Sequence, residues 1–312
     1  MTPLTRDFHR SVRQARMAFL DAVEPHRADL FRYCRGLAPT VWEAEDLVQE
    51  TLLRAFAKLA ECHWDVRDAR AYLLRAATNL WIDGQRRAGR VRLEDDLEPA
   101  VDDAAPPAGE VREALAALVH ALPPQERAAV LLKDAFGLDL DEVATYLETT
   151  RGAVKAALHR GRTKLAARGP AAAAVAGGGP PAALLDRFCA LFNARDLPAL
   201  TALLLEDCTA EVVGMVQEYG REQVEKGSLY HTMFGEEGRP RAERREHLGE
   251  AVVVIWYTGD DGRDVVGDVV RVVAREGRVA SLRYSYFCPE LLEEVGAALG
   301  VPVRTNGHRY QG

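Results

Sequence analysis

Apolar residues recur at three-and-four spacing through most of the first half of the chain, which predicts helices with one buried face. FLDAVEPHRADLFRYCRGL (19–37) and VWEAEDLVQETLLRAFAKL (41–59) carry this pattern, with Pro39-Thr40 as breaker and cap between them. ARAYLLRAATNLWIDGQRRAGR (69–90) predicts a third helix, and residues 1–17 a polar tail or short leading helix. After a break, VREALAALVHAL (111–122) and QERAAVLLKDAF (125–136) resume the helical period. DEVATYLETTRGAVKAALHRGRTKL (141–165) then reads as two short helices and a tight turn, Thr149 or Thr150 capping the second. Val143, Ala144 and Leu147 form the apolar face of the first, and Val154, Leu158 and Leu165 that of the second.

From residue 182 the period changes. AALLDRFCALFNARDLPALTALL (182–204) predicts a helix pair, and AEVVG, AVVVIWYTG, DVVGDVVRVVAR and RVASLRYSYF predict strands. Turns fall at Asp260-Asp261-Gly262 and Glu276-Gly277. The expected fold is multidomain: two all-α domains, the second with a helix-turn-helix, then an α+β domain with an antiparallel sheet. Residues 91–110 and 169–181 read as linkers, the former acidic and Pro-containing, the latter rich in Gly and Pro.

Charge sharpens this. The net charge of the 312 residues is −7, so nucleic-acid contact must come from local patches. One such patch lies on the second helix of the helix-turn-helix: Arg151, Lys155, His159, Arg160, Arg162 and Lys164, with no acid from 151 to 168. A basic second helix suits a DNA major groove; the alternative is a solvated face. Five cysteines lie far apart without a CxxC pair, which suggests neither a zinc site nor a disulfide framework. Neither a signal peptide nor a membrane span is evident, so the expected location is the cytoplasm.

The order of helical domain, acidic linker and helix-turn-helix resembles the extracytoplasmic-function (ECF) group of the sigma-70 family. EAEDLVQETLLRAF (43–56) resembles that family's polymerase-docking helix, ARAYLLRAATNLWIDGQRR (69–87) its promoter-melting helix, and residues 121–165 its upstream-element reader. FCALFNARDLPALTALLLEDC (188–208) resembles the opening of a SnoaL-like domain, the fold shared with nuclear transport factor and ketosteroid isomerase. The resemblance implies a tail (1–17), region 2 (18–90), linker (91–110), region 4 (111–168), flexible linker (169–181) and a SnoaL-like regulatory domain (182–312).

It implies site residues too. Asp46, Gln49, Glu50 and Arg54 would meet the clamp helices of the polymerase β′ subunit, with Leu47 and Leu52 facing elsewhere; Leu47 is nevertheless included in the docking set. His63 and Trp64 would serve melted bases at the −10 element, and Asn79, Arg86 and Arg87 the backbone. For Trp64, Tyr72 and Trp81 the alternative is core packing. Arg151, Lys155, His159 and Arg160 would contact the upstream element, and Ala156 would allow close approach. Tyr219, Tyr257, Asp268, Tyr284 and Tyr286 are candidates for a C-terminal pocket holding a small molecule. The tail from residue 291 would fold back on the sigma half or close that pocket.

The function this implies is an alternative sigma factor that brings core RNA polymerase (β and β′ subunits) to promoter DNA. It would have no cofactor, metal or chemistry of its own, and its C-terminal domain would control it in cis. The rivals are a SnoaL-like hydrolase or isomerase tethered to DNA, and a conventional helix-turn-helix regulator. An anti-sigma partner is left open.

Overall fold

The computed structural model describes residues 3–61, 68–88, 122–166, 180–235, 239–259 and 261–308. The expected loop at 62–67, the acidic linker, the helix at 111–121 and most of the second linker fall outside these residues. The chain forms two compact units, Met1–Ala173 and Ala174–Gly312.

The first unit is helical. Helix α1 (Pro3–Val23) extends through the expected tail, and Glu24–His26 turns the chain into α2 (Arg27–Leu37). Helices α3 (Val41–Glu61) and α4 (Ala69–Arg87) follow. Leu30, Leu37, Val48, Leu73 and Leu74 are fully buried or nearly so. Tyr33, also buried, shares a hydrogen bond of 2.7 Å with Thr78. After Pro123 come α5 (Pro124–Val130), a wider turn at Leu131–Ala135, α6 (Leu140–Tyr146) and α7 (Arg151–Ala166). Asp139 caps α6 in a reciprocal box with Glu142, each accepting from the other's backbone N–H at 2.8 Å. Between α6 and α7 the chain turns through Glu148 at φ 51°.

These later helices pack back on α2 and α4. Phe136 meets Tyr33 edge-on at 5.4 Å. Gly36 gives Leu131 room, since a Cβ there would come within 2.7 Å of the Leu131 side chain.

In the second unit, α8 (Ala182–Ala194) and α9 (Leu197–Thr201) lead to a six-stranded sheet ordered β2-β1-β6-β5-β4-β3. The strands are β1 (Leu204–Val212), β2 (Val216–Tyr219), β3 (Arg241–His247), β4 (Glu250–Thr258), β5 (Asp264–Arg275) and β6 (Arg278–Tyr284). The sheet is mixed rather than wholly antiparallel, because β1 runs parallel to β6, with Val212 opposite Tyr284. Leu204, expected to end a helix, starts a strand instead. Glu276 and Gly277, at φ 56° and 71°, make the tight β5–β6 hairpin, a geometry that favours glycine in its second place.

Val253, Ile255, Tyr257, Val270, Val272, Leu282 and Tyr284 share one core with Leu185, Phe188 and Phe192 of α8. Short helices α10 (Arg221–Val224) and α11 (Tyr230–Phe234) add Val224 and Met233 to it. Val252, Val254 and Trp256 alternate with these positions and so face the other way. Helix α12 (Pro289–Leu299) packs on β5. The chain end then straps along β5: Val266 N–H donates to the Pro302 carbonyl at 2.9 Å, and Arg304 N–H to that of Val266 at 2.7 Å.

Candidate nucleic-acid interface

Thr150 begins α7, its Oγ1 accepting from Ala153 N–H at 3.2 Å. Val154, Ala157 and Leu158 pack inward, and Gly161 sits against α5, where a Cβ would lie 2.9 Å from Val130 Cγ2. Arg151, Lys155 and His159, four residues apart, are exposed on the opposite stripe. Arg151 Nη1 pairs with Asp141 Oδ2 of α6 at 3.0 Å, both exposed, a contact that solvent screens strongly.

Two expected contacts do not lie on that stripe. Ala156 is buried, so it packs within the fold and leaves no surface for close approach. Arg160 turns its Nε to Glu126 Oε1 of α5 at 3.1 Å. Lys164 Nζ reaches both Glu126 oxygens at 2.9 Å, and Arg162 forks onto Asp134 at 3.1 and 2.7 Å. The acids they meet are only 6% and 8% exposed.

Helix α4 is capped by Asp68, whose Oδ1 accepts from Ala71 N–H at 2.9 Å. Arg86 and Arg87 are exposed at its far end and close locally on Asp83, through its carboxylate and its backbone carbonyl respectively. Asn79 Nδ2 instead donates to Glu148 Oε1, in the turn before α7, at 2.9 Å. Trp81 is buried, with the Arg127 guanidinium 5.2 Å from its ring centroid. Burial pushes the Arg127 pKa down to about 10. His63 and Trp64 lie outside the described residues.

Helix α3 has a dry side and a wet one. Leu52 is buried as expected, and so is Glu45, paired with the buried Arg27 at 3.1 Å. Gln49 donates to that Glu45, which draws it inward from the expected docking face, and Asp46 is half-buried. Outward are Glu50 and Arg54, paired at 2.6 Å. Leu47, one of the expected docking residues, is half-buried three residues before Glu50 on the same stripe. Leu53, which sequence reasoning passed over, is 64% exposed. The signal was there: Leu53 is out of phase with the Ala44, Val48, Leu52 and Ala55 stripe.

In the second unit Asp268, Tyr257 and Tyr284 occupy the same face of the sheet, Asp268 opposite Ile255 and Tyr284 opposite Val270. Asp268 is 1% exposed and its Oδ1 accepts from Ser285 N–H at 2.8 Å. Burial outweighs its hydrogen bonds and lifts its pKa to about 7. Burial, with the Asp268 charge adding to it, also drives the Tyr284 phenol far above its ordinary range. Tyr286 meets Tyr257 edge-on at 6.3 Å, and the Arg304 guanidinium of the strap lies 4.7 Å over Tyr257. Tyr219 is not part of this group: it sits on edge strand β2, 60% exposed, its hydroxyl donating to Gln217. Among the described residues no helix is long and apolar enough to cross a membrane, and no cluster of three or more His, Cys, Asp or Glu could hold a metal ion.

The family described as Sigma-70 region 2 matches residues 22–91, and Sigma-70, region 4 matches residues 112–165. The ECF RNA polymerase sigma factor SigE of Mycolicibacterium smegmatis is 34% identical over 161 residues, which cover 49% of this chain and 62% of that protein. The ECF RNA polymerase sigma factor SigL of Mycobacterium tuberculosis is 35% identical over 144 residues, covering 44% of this chain and 80% of that protein. The chain thus spans about three fifths of the length of SigE and four fifths of SigL. Among solved structures, the M. tuberculosis ECF sigma factor SigJ covers 85% of this chain and 95% of its own, at 22% identity and a TM-score of 0.33.

Proposed function

The chain belongs to the ECF group of the sigma-70 family, and from that premise we propose that it directs core RNA polymerase to a specific set of promoters in the cytoplasm. One observation carries the reading. A single unit holds an exposed Arg151–Lys155–His159 stripe on a helix-turn-helix and an exposed mixed face, Leu47, Glu50, Leu53 and Arg54, on α3. The first suits the upstream promoter element, the second a charged coiled coil of the polymerase. Arg86 and Arg87 at the end of α4, with His63 and Trp64, are assigned to the −10 element. The polymerase supplies the catalysis; this chain selects where it starts.

Gel shifts on a promoter recovered by selection with holoenzyme, with and without core polymerase, test this. A shift only with core enzyme is expected. Tight, sequence-specific binding by the chain alone would sink the reading in favour of a conventional regulator.

Control in cis belongs to the same proposal, supported by the joining of two unlike units and by Asp268, Tyr257 and Tyr284 sharing one face of the sheet in the second. Tyr286 and the strap's Arg304 border that group, a setting for a small molecule. Truncation after residue 173 is expected to change run-off transcription; equal output from truncated and full chains would defeat the regulatory part alone.

A further inference from the structure

Between Arg151 and Lys164 helix α7 carries five cations and one histidine, and they have two different fates. Arg151, Lys155 and His159 face solvent. Arg160 and Lys164, one turn apart, close together on the single carboxylate of Glu126, while Arg162 forks onto Asp134. Glu126 belongs to α5 and Asp134 to the turn that follows it, so the anchors flank the α5 surface on which α7 lies. Gly161 stands between the anchored cations and gives Val130 its room.

We propose that Glu126 and Asp134 are positioning residues for promoter reading. They fix the roll of α7 about its own axis, and through it which side chains enter the groove. Arg160, Arg162 and Lys164 then supply no phosphate contact. A carboxylate nearly excluded from water is left uncompensated when its cation swings away, whereas a cation on an exposed phosphate exchanges one solvated partner for another. The anchored cations therefore stay with the protein. Successive residues of a helix differ by about 100° in direction, so even a partial roll replaces one reading side chain by its neighbour. Sequence-level counting of positive charge overstates this helix's footprint on DNA by three.

The proposal rests on α7 being the promoter-reading helix, and the test separates the two. Full-length variants are assembled with core polymerase. The salt dependence of promoter binding and the upstream sequence recovered from a randomised library are both measured. Lys155→Met is expected to lower the slope of log K against log salt by about one. Arg162→Met and Lys164→Met are expected to leave that slope unchanged. Glu126→Gln is expected to alter the recovered sequence and weaken the original promoter about tenfold, with Glu126→Asp restoring the original preference.

If Lys164→Met or Arg162→Met lowers the slope as Lys155→Met does, these cations touch phosphate and the proposal is overturned. It is equally overturned if Glu126→Gln folds, by circular dichroism, yet selects the original sequence at full affinity. Should Glu126→Gln fail to fold, the two lysine and arginine slopes still decide. If Arg151→Met and Lys155→Met change neither slope nor sequence, the promoter-reading role of α7 itself is what fails.

Discussion

Arg127 lays its guanidinium 5.2 Å from the Trp81 ring centroid and donates to the Leu37 carbonyl at 2.6 Å. One side chain of α5 thus joins the C-terminus of α2 to the middle of α4. It also donates to the carbonyl of Leu122, the residue that leads into its own helix, at 3.1 Å. Asn79–Glu148 and Tyr33–Phe136 bridge the same two groups of helices. The expected melting helix and the expected reading helix therefore belong to one packed body.

Arg127→Ala should loosen that body. Losing charged hydrogen bonds to buried carbonyls and a cation–π contact is expected to cost about 2–4 kcal/mol. Urea unfolding measures it, and a rise in quenching of tryptophan fluorescence by acrylamide should accompany it. An unchanged midpoint would show that the bridge contributes nothing.

The Arg27–Glu45 pair is buried at both ends. Removing one partner strands a charge, so Glu45→Ala should destabilise by about 3–5 kcal/mol. The double change Arg27→Met, Glu45→Leu should recover most of that loss. Thermal unfolding of the three proteins gives the comparison, and a double variant as weak as the single one would refute it.

Leu53 makes the opposite prediction. Being exposed, Leu53→Ser should leave stability within about 0.5 kcal/mol. If the polymerase covers it, the affinity for core enzyme should fall roughly 10-fold or more, as expected for a leucine that loses its burial. Fluorescence titration of labelled chain with core enzyme reads this directly.

Asp268 gives the second unit a pH signature. Its folded pKa, about 7, lies above the roughly 3.9 of an unfolded aspartate, so the fold binds the proton more tightly than the unfolded chain. The stability it contributes is present at low pH, declines as pH rises from about 4 to about 7, and is level above that. The full span is on the order of 4 kcal/mol. Asp268→Asn should flatten this slope and raise the melting temperature at pH 8; an equally steep slope in the variant would assign the effect elsewhere.

What the sequence revealed depended on how local the cause was. The helix-turn-helix announces itself through Thr150, one of the two caps offered for its second helix, acting within three residues. The β5–β6 hairpin does so through Glu276-Gly277. Strand β3, RAERREH, carries no apolar alternation because it ends the sheet: Asn193 of α8 takes the N–H and carbonyl of Ala242, and Arg244 pairs with Asp186 of the same helix. The fate of Arg160 was hidden for another reason: Glu126 lies 34 residues earlier, and nothing near Arg160 marks it as anchored. Ala156 was misplaced because the neighbour of an exposed helical residue, here Lys155, points about 100° away and into the core. The two candidate base contacts at His63 and Trp64 still rest on resemblance alone.

The parallel pairing of β1 with β6 has a consequence for synthesis. Strand β1 gains its β6 neighbour only once the chain has been made as far as Tyr284, whereas each helix of the first unit forms from contacts close in sequence. At 5–20 residues per second, the stretch from the end of the first unit to that point takes on the order of ten seconds. For that interval each new molecule carries a complete first unit and an unfinished second one. A controlling partner of its own chain would then arrive after the part it controls.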